Sequence, residues 1–402
     1  MSDRVMKDEA ARHLRSVILP FWKALADTRH GGFYGETDDS LKTDKQADKG
    51  VLLHARILWF FSNAYSVAGD ADSLGYAARA FEFIERAVDR EFGGVYWSMT
   101  YDGLPAETLK HTYNQAFAVY ALSAYHAASK DPGALRLARD IFSLIETKCK
   151  AAEGYNESFD RSFRPCGNEK LADNETVNAS GAAVTKTMNT ILHLAEAYTA
   201  LYQVTGDTAV KSALEGVLEL IESRIYDREN KRLSVFFDDH YRSLADVHSY
   251  GHDIEAAWLI DLACGAIGYA RSAQMSAFNT QVADNILDAA FDGRALYNER
   301  TGGCVDRNRV WWVQAEAVVG FINEYQKSGH EKYLAAARAV FGYIMEHIAD
   351  KRGGSEWFWE VDENDRPVSG HPIAGQWKCP YHNGRMVFEL MKREIICVHT
   401  RS

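Results

Sequence analysis

YQVTGD, residues 202–207, closes one helical stretch and opens the next. The glycine suits the left-handed turn at a helix C-terminus, and the aspartate is a good N-cap for the next helix. The same punctuation recurs as YSVAGD (65–70), YHAASKD (125–131) and YQKSGH (325–330), with CGAIGYARSAQ (264–274) as a degenerate fifth copy. After each stop a second amphipathic run begins, such as ALRLARDIFSLIE (134–146) or VKSALEGVLELIE (210–222). A unit that repeats in this way is a pair of helices.

Extending the pattern in both directions gives about twelve helices, near 7–26, 49–68, 71–89, 110–129, 133–149, 184–205, 208–226, 249–268, 272–290, 311–328, 331–349 and 381–395. Only seven prolines interrupt the chain, as long helices require. Six helix hairpins can close into a ring with alternate helices inside and outside. The expected fold is therefore all-α, an (α/α)6 barrel forming a single catalytic domain over 1–402. An open α-solenoid needs the same local signal. Between the pairs lie Gly-rich, aromatic stretches: GGFYGETD (31–38), GGVYWSMTYDG (93–103), RLSVFFDD (232–239) and GGSEWFWEVDENDRP (353–367). They read as short β-hairpins, one turning at Asp102-Gly103.

The 402 residues are 47% hydrophobic, so a sizeable core is available. Lys plus Arg is 45 against 56 Asp plus Glu, a net charge of −11 that argues against nucleic acid or an anionic membrane as partner. Six cysteines, at 149, 166, 264, 304, 379 and 397, show no zinc-type spacing and read as buried, reduced thiols. The charged start MSDRVMKDEAARHL is no signal peptide, and no run reaches the ~20 apolar residues of a membrane span. The expected setting is the cytoplasm, as a monomer or homodimer.

The even-numbered helices open with polar groups that do not belong on an apolar face. They are Arg56; Tyr113 and Asn114; Asn189 and His193; His252 and Glu255; Trp311, Trp312 and Glu316; His382 and Arg385. In a ring these converge on one mouth, where helix N-termini favour an anionic intermediate. Singly, each has a plainer reading. A lone helical His is more often a satisfied side chain, as expected for His54 and His347. Arg56 beside Leu and Trp can snorkel, and Trp311-Trp312 can be core. His252 and Glu255, three apart, make a helix pair or half of a metal site whose other half is missing. No His-Glu-x-x-His, phosphate-binding loop or Gly-x-Ser-x-Gly motif occurs. Six sets in register outweigh the single readings.

The segments GHDIEAAWL, RILWFFSNAY, KTMNTILHLAEAY, EWFWEVD and QWKCPYHNGR resemble the cellobiose 2-epimerase branch of the N-acylglucosamine 2-epimerase superfamily, from about Phe21 to Glu389. The resemblance implies an (α/α)6 barrel, no metal or redox cofactor, and epimerisation at C2 of a reducing-end sugar in a disaccharide or monosaccharide substrate. Carried over motif by motif, His252 and His382 match the family's acid/base pair. Arg56 matches the arginine on the reacting oxygens, and His193 a third active-site histidine with Asn189 one turn before it. Glu255 and Glu316 match acidic ligands; Tyr113, Phe117, Trp312 and Trp377 match sugar-contacting aromatics, with Trp311 the other candidate for the inward ring. SGAAVTKTMN (180–189) is poorer in charge than the family pattern.

The chemistry explains the residue types. Inverting C2 means removing its proton and returning it to the other face, and that hydrogen is acidic only beside a carbonyl. The ring must open first, with an acid at the ring oxygen and a base at the anomeric hydroxyl. Imidazole exchanges these roles near neutral pH. The reading makes His252 the base from glucose to mannose and His382 the ring-opening acid and proton donor, with the reverse assignment open. Arg56 would stabilise the enediolate oxygens, and Glu255 would fix the His252 tautomer. Three alternatives remain: a monosaccharide enzyme of the same superfamily, a glycoside hydrolase using two carboxylates such as Glu255 and Glu316, and a non-enzymatic helical scaffold.

Overall fold

The structure, a computed structural model, describes residues 3–168 and 184–395. Twelve helices occur among them. The first, α1, runs over 3–24 as Asp3–His13 and Leu19–Ala24 joined through a π-turn at Leu14–Ile18. There follow α2 (Val51–Ser66), α3 (Ser73–Arg86), α4 (Thr112–Ser129), α5 (Pro132–Leu144) and α6 (Met188–Thr205). The second half holds α7 (Thr208–Leu220), α8 (Tyr250–Ile267), α9 (Ser272–Ala289), α10 (Trp311–Ser328), α11 (Glu331–Tyr343) and α12 (His382–Lys392).

The repeated stops work largely as helix punctuation. Gly206 and Gly329 take left-handed φ of 62° and 72°, and Lys130 adopts the same conformation at 63°. Asp131 and Asp207 accept hydrogen bonds from the first-turn amides of α5 and α7. Asp70 departs from the pattern: its carboxylate takes Ser73 Oγ and the Lys23 ammonium instead.

The even helices form an inner ring, each packed on the next from α2 through α12, and α12 returns to α2. The odd helices lie outside, α3, α5, α7, α9 and α11 each against the preceding inner helix and α1 against α12. This is the (α/α)6 barrel; contact between α12 and α2 rules out the open solenoid. The inner helices are buried nearly all round, α8 for example through Ile254, Ala256, Trp258 and Ile260, as a helix enclosed by neighbours must be.

A girdle of short antiparallel ladders surrounds the mouth, two-stranded except where 247–249, 299–301 and 304–306 form three strands. The residues entering an inner helix pair with the loop of the following unit: Lys49–Gly50 with 98–99, Lys110–His111 with 158–159, Lys186–Thr187 with 236–237 and Arg309–Val310 with 360–361. Thr37 bonded to Ala374 closes the girdle. The expected local hairpins are thus only partly local. Asp102-Gly103 does sit in a tight turn, with Thr100 N–H donating to Leu104 C=O at 2.7 Å, but the longer pairing is with the preceding unit.

Two further expectations need correction or limits. Cys149, Cys264 and Cys379 are buried free thiols, whereas Cys166 and Cys304 are exposed, because they lie on girdle loops rather than in helix cores. Cys397 and residues 180–183 of the charge-poor segment fall outside the described residues. Among the described residues no helix is long and apolar enough to cross a membrane.

Candidate active site

The first turns of the inner helices meet around a cavity of about 280 Å³. Its wall takes Arg56 from α2, Tyr113 from α4, Asn189 and His193 from α6 and His252 and Glu255 from α8. Trp311 and Trp312 come from α10, His382 from α12, and Trp359 and Trp377 from the girdle loops.

Three imidazoles face this cavity, and each is held from behind through Nδ1. His252 bonds Ser249 Oγ at 2.7 Å, His193 bonds Glu196 Oε2 at 2.9 Å, and His382 bonds Glu316 Oε1 at 2.7 Å. No protein group bonds any of their Nε2 atoms among the described residues, which leaves that nitrogen for a ligand. Burial pushes His252 down to about 4, against the pull of Glu255. Burial also holds His382 well below the usual range; Glu255 opposes this and Arg385 reinforces it. Both rings are therefore neutral at neutral pH, the state a base needs.

Trp312 lies between these two histidines, its ring centroid 4.7 Å from that of His252 and 5.4 Å from that of His382. Gly251 permits this: a Cβ there would come within 2.6 Å of the Trp312 ring. Trp311 is deeper, edge-on to His382, with the Lys378 ammonium over its ring.

Arg56 is buried against the faces of Phe117 and Tyr381, 4.3 and 5.0 Å from its guanidinium carbon. It donates to Tyr113 Oη at 2.8 Å and to Cys379 Sγ at 3.7 Å. Tyr113 is pushed up to about 12 by burial, with Arg56 opposing, so its phenol stays protonated.

One turn deeper lies a charged layer. Arg385, fully buried, donates to Glu196 Oε1 at 2.6 Å, pairs with Glu316 at 2.7 Å and grips Glu255. Tyr381 Oη donates to Glu196 at 2.6 Å, and Trp258 Nε1 donates to Glu316 Oε2 at 3.1 Å. Burial raises Glu196, but Arg385 and the His193 ring overcome it and hold the carboxyl down to about 2. Glu255, Glu316 and His382 come together as metal ligands would, yet the Arg385 guanidinium already pairs with both carboxylates.

Three expectations change. Glu255 does not hold the His252 ring; its Oε1 is drawn to Arg385, and Ser249 does the orienting. Phe117 and Glu316, expected as sugar contacts, sit one layer behind the cavity wall, under Arg56 and behind His382. Trp377 stands at the rim, 36% exposed, with its ring 6.2 Å from that of Tyr113. Glu196, Ser249, Trp258, Trp359 and Tyr381 were not anticipated. A signal for Glu196 existed: His193-x-x-Glu196 repeats the spacing of His252-x-x-Glu255. His54 is the satisfied core histidine expected, accepting from Phe33 N–H at 2.9 Å.

Residues 32–384 match the N-acylglucosamine 2-epimerase (GlcNAc 2-epimerase) family. The chain belongs to that family. It is 48% identical to a cellobiose 2-epimerase of Ruminococcus albus over 393 residues, 97% of this chain and 100% of that protein. A crystal structure of a sugar epimerase from a ruminal bacterium superposes with a TM-score of 0.93 at 48% identity, covering 96% of this chain and 99% of that one. The cellobiose 2-epimerase structure from Bacillus thermoamylovorans B4167 superposes at 0.92 with 39% identity, covering 97% and 100%. The protein is a carbohydrate epimerase, an isomerase.

Proposed function

We propose that this epimerase acts at C2 of the reducing-end unit of a β-linked disaccharide, converting cellobiose to glucosyl-mannose and lactose to epilactose, with the ring as one catalytic domain. The observation that carries the reading is the pair of half-buried His252 and buried His382, flanking one indole, each with Nδ1 anchored and Nε2 unpartnered among the described residues.

The reaction follows from these groups. An imidazole takes the anomeric hydroxyl proton as a donor protonates the ring oxygen, and the sugar opens to the aldehyde. His252 Nε2 then removes the C2 proton, leaving a cis-enediolate. Arg56 and the Tyr113 hydroxyl bear on the developing oxyanion. Rotation about C2–C3 presents the other face, and His382 returns a proton there; the mannose-to-glucose direction exchanges the two roles. Glu316 holds His382 with Nδ1–H inward and stabilises its imidazolium, and Glu196 does the same for His193. Glu255 Oε2 and Asn189 Oδ1 are buried without partners; sugar hydroxyls satisfy such atoms. Charge stabilisation is assigned to Arg56 and Arg385 rather than to a metal.

Incubation with cellobiose, lactose, glucose, mannose and N-acetylglucosamine in heavy water tests this. The expected products are the disaccharide epimers carrying deuterium at C2. Release of monosaccharides from cellobiose would instead indicate a hydrolase, and conversion of free monosaccharides alone would move the substrate class.

A further inference from the structure

Most buried cations among the described residues have carboxylate partners: Lys49 with Asp27, Lys110 with Asp89, Lys378 with Glu356, and Arg385 with three glutamates. Lys186 donates instead to the Glu153 carbonyl at 2.8 Å, whereas Arg56, on the cavity wall, has neither a carboxylate nor a carbonyl. It is 3% exposed, yet among the described residues no carboxylate lies within ion-pair distance. Its partners are a phenol, a thiol and two aromatic faces, and its Nε has no hydrogen-bond partner. The nearest acid on the cavity wall, Glu255, is committed to Arg385. An unpaired buried guanidinium costs stability unless a ligand completes it. Because this one lines the cavity, its missing partner is an anion carried by the ligand.

The fork of a guanidinium matches two coplanar oxygens about one carbon. An aldehyde sugar offers coplanar oxygens with charge only fleetingly, on the adjacent carbons C1 and C2 of the enediolate. An aldonate offers it permanently: its C1 carboxylate is planar, ionised and attached to the same open polyol chain. We infer that the cavity is a receptor for aldonates, the C1-oxidised open-chain forms of the sugar, which bind with the carboxylate on Arg56 and the chain hydroxyls on the histidines, Asn189 and Glu255. The inference rests on the proposed function for the choice of polyol, while the anion requirement rests on Arg56 alone. An epimerase of this kind is then inhibited by the oxidation products of its own substrates.

Calorimetric titration with lactobionate, and with lactitol as its uncharged counterpart, decides the matter without turnover. A charge-assisted pair in place of a neutral one makes lactobionate about ten- to a hundredfold tighter. In Arg56→Met that preference should vanish, with both ligands titrated and with the circular dichroism spectrum unchanged as the check that the variant is folded. Arg56→Lys, with charge but no fork, should keep part of the preference. Equal affinities in the unmutated protein, or a preference that survives Arg56→Met, would overturn the inference. A protein that epimerises cellobiose yet shows no preference for lactobionate refutes this inference alone. One that prefers lactobionate but leaves every sugar unchanged refutes the functional reading alone.

Discussion

Glu316 Oε1 lies 2.7 Å from His382 Nδ1 and accepts at 3.2 Å from Arg385 Nε as well. The His382 ring and the buried guanidinium thus share one oxygen. Arg385 also binds Glu196, which holds His193, so one side chain anchors the supports of two histidines on two helices. The orientation of the imidazoles is set from beneath, by charge, while the cavity above them is free for sugar.

Removing only the charge behind His382 should reduce turnover without loss of fold. In Glu316→Gln the amide keeps the size but weakens the imidazolium. We expect kcat to fall about 10- to 100-fold with KM nearly unchanged. Steady-state kinetics beside a thermal melt checks this; an unaltered kcat would remove Glu316 from the mechanism.

Arg385→Met should be structural in its effect. It leaves Glu196, Glu255 and Glu316 buried together without their cation, a loss of roughly 3–5 kcal/mol. Urea unfolding measures it. Unchanged stability would mean that the three carboxyls take up protons without penalty.

Acid should loosen the fold before it reaches most carboxylates. Burial holds His13, His111 and His252 to about 4 and His54 to about 3, against the usual 6.5. Between pH 6.5 and those values the unfolded chain binds protons that the folded chain refuses. The stabilisation is complete above 6.5 and is lost as pH falls, by roughly 2 kcal/mol for each ring at pH 5. Glu157, raised to about 7 by burial against its bonds to Thr187 and Asn168, runs the other way: its contribution is complete below 4.5 and fades as pH rises to 7. A melting temperature that drops steadily from pH 6.5 to 5 is expected. A flat profile would show that these histidines are solvated.

Activity should survive exhaustive chelation, because the Arg385 guanidinium already supplies the positive charge that the Glu255–Glu316–His382 cluster would otherwise require. Loss on chelation with recovery on adding a divalent ion would reassign those three residues as ligands.

Much of the fold was legible because a glycine or an aspartate marks each of the repeated helix stops, and the inner helices announced themselves by polar residues near their starts. The girdle was less so. Its turns at 38–42, 100–104, 160–164, 238–242 and 362–366 share one geometry, with the first N–H donating to the fifth C=O and the fourth residue left-handed. Only Gly103 advertises that conformation; Leu41, Phe163, Tyr241 and Asp365 adopt it without a glycine signal, because the leading aspartates of those four turns hold them through Oδ1. In the site, helix position located the cavity wall but not its depth. Phe117 and Glu316 have the right residue types and stop one layer short, since which side chain reaches the axis depends on packing across the ring. Arg385 was visible in sequence, but its role required three glutamates from three helices to be seen together.

If His252 and His382 each handle a proton at C2, hydrogen exchange at that carbon must depend on both. It is read by NMR in heavy water, in His252→Asn and His382→Asn beside the unmutated protein. Deuterium is expected at C2 of the unmutated enzyme's product. Each variant should lose about 10²–10⁴-fold in kcat with its circular dichroism unchanged, and His252→Asn should abolish exchange out of the glucose unit while still permitting ring opening. Full activity in either variant, or product formed without C2 exchange in any of the three proteins, would contradict the two-histidine scheme.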